Sequence, residues 1–300
     1  SLHSFYLAQQ LISEAFDQRS FSNLSELNFS LAFSCRRSSL FPIRANGGLV
    51  MSNMESDLRV KVCAPLERPK PRLRIGDFYP VSSTLYNGEP ATEIFFQGCP
   101  WECNTCRSPH LIPPAENTAF KWQDILYYLM GRRGLINHVV FNGAEPLSQT
   151  HLIEAITQCK TLGFMVGLHT CGIFPLRLES VLPVIDWIWF EVLGLPEDYQ
   201  QTNNILGSGE VAWECLQMAI VSGVPVVCEI FCGEDSPMRP RLIFVANQLA
   251  CMGVEHLVLS VKDGDCAILA DAPEDIQAVA QRFPHFTLRT APSKTALNPS

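Results

Sequence analysis

The sequence predicts an α/β fold: a partial (β/α)6 barrel behind an N-terminal extension. Three observations carry that expectation. From residue 92 onward, six short apolar runs rich in β-branched and aromatic residues alternate with longer helix-like stretches. Gly163, Gly223 and Gly253 each stand just before one of these runs, where a helix C-cap belongs. A loop dense in cysteine follows the first run directly, at the strand end where parallel α/β folds gather their chemistry.

Taken in order, residues 1–53 read as a poorly ordered N-terminal extension. They are rich in Ser, contain Arg36-Arg37 and lose apolar periodicity after Ile12, and Met51 and Met54 lie where the composition changes. The expectation is a dispensable segment, upstream sequence joined ahead of the true start. A transit peptide is the rival, although such peptides avoid acids and this one has Glu14, Asp17 and Glu26. Residues 54–91 form an extended lead-in, because Pro65, Pro69, Pro71, Pro80 and Pro90 break any helix. The barrel occupies 92–292 and a tail 293–300. Its strands are expected at Glu93–Gln97, His138–Phe141, Met165–His169, Trp187–Val192, Val226–Phe231 and His256–Ser260. Helices are expected near 122–130, 150–162, 176–183, 209–222, 240–252 and 273–281. Alternation of this kind argues for a parallel sheet, open or curled.

A composition 47% hydrophobic and 17% charged supplies a sizeable core. The formal charge of −8 argues against a nucleic-acid binder that relies on bulk positive charge. No run of about 18 apolar residues marks a transmembrane helix, so no membrane partner is expected. Of the 12 cysteines, Cys99, Cys103 and Cys106 cluster with the spacing C-x3-C-x2-C. Three thiolates on one short loop suit a metal or an iron–sulfur cluster, and they require a reducing compartment, the cytoplasm. The others read mostly as small buried hydrophobes, including Cys228 and Cys232, where core packing is weighed against a second metal site.

One strand later, Phe141-Asn142-Gly143-Ala144-Glu145-Pro146 makes a small-residue turn whose backbone is free to approach a ligand closely. Glu145 there would meet a cationic group, or be a solvated acid at a helix start. The third and fourth strands end in His169-Thr170-Cys171-Gly172 and in Trp189-Phe190-Glu191. His169 reads as structural. Trp101 shields the cysteine loop or docks a partner.

Together these segments resemble the radical S-adenosylmethionine (SAM) superfamily, and within it the activases of glycyl-radical enzymes, above all those of anaerobic ribonucleotide reductase. The likeness runs from about Leu85 to Arg289. It includes Phe95-Phe96-Gln97-Gly98-Cys99-Pro100-Trp101, Pro109-His110-Leu111, Arg132-Arg133-Gly134-Leu135, His138-Val139-Val140-Phe141 and Gly167-Leu168-His169-Thr170. The resemblance implies that Cys99, Cys103 and Cys106 ligate a [4Fe-4S] cluster whose open iron binds SAM. It implies that Asn142, Gly143 and Ala144, with Glu145 near, hold the methionyl amine, and that Thr170 and Glu191 contact the cofactor. No catalytic side chain is implied beyond the cluster. The implied partners are a glycyl-radical enzyme as protein substrate and a flavodoxin or ferredoxin as electron donor.

The chain departs from the family pattern at four places. Thr105 replaces an aromatic residue, Ala144 a glycine, Cys171 an asparagine and Leu193 a lysine that helps bind the cofactor in relatives. Two other readings stand beside the first. One is a radical SAM enzyme acting on a small molecule, similar to 7-carboxy-7-deazaguanine synthase. The other is a non-catalytic protein stabilised by zinc on Cys99, Cys103, Cys106 and His110.

Overall fold

The computed structural model describes residues 73–82, 88–115, 118–232, 239–262 and 273–291; the extension 1–53 and the tail 293–300 lie outside them. Eight strands form one sheet in chain order: β1 (Ile75–Ser82), β2 (Ala91–Phe96), β3 (His138–Gly143), β4 (Met165–Thr170), β5 (Trp187–Val192), β6 (Val226–Cys232), β7 (His256–Lys262) and β8 (His285–Ala291). Strands β2 through β8 run parallel, and β1 pairs antiparallel with β2. The sheet is not closed; β1 and β8 are its edges. All six expected strands are present. Two more join them: β1, within the proline-rich lead-in, and β8 at the far edge. Pro80 sits in β1, an edge position where a missing N–H is tolerated.

The helices are α1 (Trp122–Met130), α2 (Leu152–Thr161), α3 (Pro175–Val181), α4 (Tyr199–Asn203), α5 (Ser208–Val221), α6 (Leu242–Cys251) and α7 (Pro273–Ala280). Among the described residues, the five-residue α4 is the one α-helix that was not expected. In α1, Trp122, Ile125 and Leu129 recur at helical spacing and are buried, and Asp124 favours the helix start. Gly163, Gly223 and Gly253 stand just past α2, α5 and α6 with φ of +93°, +78° and +90°, the left-handed ending their positions suggested.

Each central strand is buried on both faces, which is why it reads as a nearly continuous apolar run. On one face, Ile94, Phe141, Leu168, Ile188, Ile230 and Leu259 pack into the main core with the helices. On the other, Ala91, Val140, Trp187, Trp189, Val227 and Val258 form a separate cluster. Side chains reaching from β2 to β7 meet there, so the sheet curls and its concave face lines a lumen. Gly167 makes room for this: a Cβ on it would fall 2.2 Å from the Trp187 ring. Cys228 and Cys232 face the helices as buried core residues. Among the described residues no helix is long and apolar enough to cross a membrane.

Candidate functional site

The cysteine loop leaves the C-terminal end of β2. Its backbone is braced where it begins: Gly98 N–H donates to Leu111 O (2.8 Å) and Cys99 N–H to Ile112 O (3.0 Å). Asn104 N–H donates to Thr202 O (3.0 Å) on α4. The next loop holds it from the side, with Ser148 Oγ donating to Gly98 O and Gln149 Nε2 to Gln97 O, each at 3.1 Å. Trp101 is buried against Tyr199, ring edge to face at 5.9 Å, and against Ala212. It therefore shields the loop, and its backbone N–H donates to Cys99 Sγ (3.4 Å).

Cys99, Cys103 and Cys106 are half-buried, and none of the nine cysteines among the described residues is joined to another of them by a disulfide. Burial pushes the Cys99 and Cys103 thiols up to about 12, and neighbouring acids and thiols add to the shift. Such thiols stay protonated until a positive centre displaces the protons.

The turn after β3 is built around its backbone. Gly143 has φ +118°, and a Cβ on it would fall 2.2 Å from Phe96 N, so the end of β3 can lie this close to β2 only with glycine. Ala144 is less restricted. Asn204 is the one non-glycine with positive φ among the described residues, so Ala144 sits at negative φ and the exchange of glycine for alanine strains nothing. Ala144 N–H donates to Phe96 O (3.1 Å), and Asn142 Oδ1 accepts from Gly143 N–H (2.7 Å).

Glu145 is fully buried rather than solvated. It caps the short turn Pro146–Ser148, accepting from Leu147 N–H (2.9 Å), from the Thr170 hydroxyl (2.8 and 2.9 Å to its two oxygens) and from Cys171 N–H (3.3 Å). Burial pushes its carboxyl up to about 7, against those hydrogen bonds. The structure thus brings Glu145, Thr170 and Cys171 together. Asn142 turns the other way, to Glu93 in the lumen (3.2 Å). Cys171 Sγ lies 3.8 Å from Glu191 Oε2, which connects this group to the fifth strand.

Beyond Glu191 lies a polar layer that sequence reasoning missed. Glu191 and Glu229 are register partners on β5 and β6. Two acids side by side facing a lumen repel each other. Arg107, the residue after Cys106, answers them: Nη1 and Nη2 donate to Glu229 at 2.9 and 2.8 Å, and Nη2 lies 3.3 Å from Glu191. Glu229 also accepts from Trp189 Nε1 (2.8 Å), Ser260 Oγ (2.5 Å) and Arg289 Nη2 (2.7 Å). Burial alone would raise both carboxyls, but Arg107 outweighs it at Glu191, and Arg107 with Arg289 holds Glu229 well below the usual range. Burial likewise opposes the Arg107 charge, and the two acids more than restore it. His169 is buried on β4, its Nε2 3.7 Å from Glu191 and 4.0 Å from Glu229, beyond hydrogen-bond range. The signal that could have found the anchor was Glu229 itself, a lone acid inside the apolar run Val226–Cys232.

No family model and no curated protein sequence matches the chain. Among solved structures it is similar to QueE from Escherichia coli, at 19% identity and TM-score 0.52, over 73% of this chain and 94% of that one. It is also similar to a radical SAM methyltransferase from Sphaerobacter thermophilus, at 13% identity and TM-score 0.50, over 69% of this chain and 68% of that one. A domain of pyruvate-formate lyase-activating enzyme from Bacteroides vulgatus aligns over 51% of this chain at TM-score 0.42, too loose to weigh on the choice of substrate. At these identities the likeness speaks to the fold. That fold is an open, mostly parallel α/β sheet curled into a partial barrel.

Proposed function

We propose that this protein is a radical SAM enzyme that cleaves SAM reductively and abstracts a hydrogen atom from its substrate. The observation that carries the reading is the placement of Cys99, Cys103 and Cys106 on a braced loop at the C-terminal end of β2, beside the Asn142–Glu145 turn and the mouth of the lumen. The donor set fits the cofactor. A cube of four irons takes three cysteines at three different corners, so its ligands are spread; a single ion needs donors converging on one point. His110, the fourth ligand a zinc site would use, is half-exposed, and its Nε2 is bonded to Asp77 Oδ2 at 2.7 Å. The Asn142–Glu145 turn beside the cysteine loop, for which a structural zinc site has no use, favours the cluster over zinc.

Cys99, Cys103 and Cys106 would hold the cluster, and the Asn142–Ala144 backbone would face the methionyl group of SAM. What the pair supplies is a one-electron reduction of a sulfonium, releasing a 5′-deoxyadenosyl radical able to take a hydrogen atom. The chain's own work is to seal and orient. Trp101 and Tyr199 cover the loop from outside. Glu145 and Thr170 lock the ends of β3 and β4 together, which fixes the turn. Glu191, kept ionised by Arg107, offers an acceptor at the mouth of the lumen. Leu193, where relatives have a lysine, contributes no charge.

For the substrate, the lumen favours a small polar molecule over the backbone of a glycyl-radical partner. Its floor is filled by Trp187, Trp189 and Val258, and above that lie Arg107, His169, Glu191, Glu229, Ser260 and Arg289. A neutral glycine loop would gain nothing from so many charged groups. Activation of a glycyl-radical enzyme remains the second reading, supported by the motif likeness of Phe95–Trp101. Either reaction needs an external electron donor of the flavodoxin or ferredoxin kind. Iron and sulfide content after anaerobic reconstitution tests the cofactor assignment: Cys103→Ala should lose the cluster and Glu145→Ala should keep it. Stoichiometric zinc in place of iron would refute it.

A further inference from the structure

Arg107 follows the third cysteine of the loop directly, yet its guanidinium reaches the opposite wall of the lumen 122 residues away in sequence. Both terminal nitrogens engage Glu229, at 2.9 and 2.8 Å. Glu229 has no freedom to turn, because Trp189, Ser260 and Arg289 take its remaining acceptor sites. Arg289 Nε in turn donates to Ser260 Oγ (2.7 Å), and Ser260 and Arg289 are register partners on β7 and β8. The anchor is therefore fixed by three strands. From it, the same guanidinium touches Glu191 at 3.3 Å and lies over the Phe231 ring at 5.7 Å.

A buried ion pair of this kind is a poor way to gain stability, since a well-packed apolar pair often does as well. What a two-point guanidinium–carboxylate contact does provide is a fixed distance and a fixed orientation. We propose that Arg107 is a positioning residue. It pins the C-terminal end of the cysteine loop across the lumen to Glu229, and so sets where a cluster on Cys99, Cys103 and Cys106 stands relative to Glu191 and the Asn142–Glu145 turn. This rests on the radical SAM reading above, and it adds a tie between the cluster loop and the substrate end of the lumen.

The test uses the full chain reconstituted anaerobically with iron and sulfide and reduced with dithionite. The readout is the electron paramagnetic resonance (EPR) spectrum of the cluster as SAM is titrated. Arg107→Lys keeps the charge and removes the fork. Ser260→Ala loosens the anchor without leaving a charge unpaired. Both variants should load iron and sulfide like the parent. Arg107→Lys should then need at least about tenfold more SAM to reach half of the spectral change, as expected when a group supporting a metal site is lost. Ser260→Ala should shift in the same direction by less. A parent-like SAM response in Arg107→Lys overturns the proposal. So does failure of both variants to hold iron, because Arg107 would then serve the folding of the loop rather than the placement of the cluster. A parent protein that takes up no iron, or shows no SAM-dependent change, defeats the radical reading itself and this inference with it.

Discussion

The Thr170 hydroxyl lies 2.8 and 2.9 Å from the two carboxylate oxygens of Glu145, and both residues are buried where β3 and β4 end. Burial nevertheless raises the Glu145 carboxyl from its ordinary 4.5 to about 7. The folded protein thus binds this proton more tightly than the unfolded chain does. The stabilisation is fully present below pH 4.5 and is lost as pH rises through about 7. Thermal unfolding of the parent and of Glu145→Gln, compared from about pH 5 to about pH 8, should show the parent losing ground as pH rises. A constant gap across that range would show that Glu145 does not titrate there.

The carboxylate on the far wall has the opposite sign. Glu229 is held ionised, so its contribution is present above the ordinary carboxylate pKa and is lost as pH falls through its lowered value. Replacing it by Gln removes the buried carboxylate that Arg107 and Arg289 share. Glu229→Gln should cost about 3–5 kcal/mol by urea unfolding at neutral pH. Glu89→Gln is the control: Glu89 pairs with His138 but is half-exposed, and its loss should cost no more than about 1 kcal/mol.

The two small residues of the β3 turn should behave differently. Gly143→Ala forces a Cβ to within 2.2 Å of Phe96 N at φ +118°, and soluble protein should be lost or sharply destabilised. Ala144→Gly relieves no strain, so it should leave the protein within about 1 kcal/mol of the parent, on the unstable side. Expression and unfolding midpoints of the pair distinguish a turn set by Gly143 from one that merely tolerates small residues.

Trp101 covers the cysteine loop and is 4% exposed. Trp101→Ala should cost about 3–5 kcal/mol, as large-to-small changes in packed sites do. It should also speed the loss of iron when the reconstituted protein meets air. Iron retention equal to the parent would mean that the loop is sealed from another side.

The six central strands were legible in sequence because they are buried on both faces and read as apolar runs, with Gly163, Gly223 and Gly253 marking the helix ends before three of them. The edges were not. β1 is hidden among prolines, and its pairing with β2 is interrupted by register shifts. β8 reads His285-Phe286-Thr287-Leu288-Arg289, largely exposed and without an apolar run. At the site, the cysteine loop and the Gly143–Pro146 turn were legible because each is contiguous. The lumen layer was not, because its members come together only through strand register: Glu191 beside Glu229, and Ser260 beside Arg289. Nothing in the residues around Arg107 distinguishes it from any other loop charge; strand register places two acids opposite it.

Formation of 5′-deoxyadenosine is the direct test of the proposed radical SAM chemistry. The full chain would be reconstituted anaerobically with iron and sulfide, reduced with dithionite and given SAM. The account predicts 5′-deoxyadenosine from the parent and none from a Cys99→Ala, Cys103→Ala, Cys106→Ala triple variant. A parent that carries a reduced [4Fe-4S] cluster, binds SAM and still forms no 5′-deoxyadenosine with any electron donor or candidate substrate would contradict it.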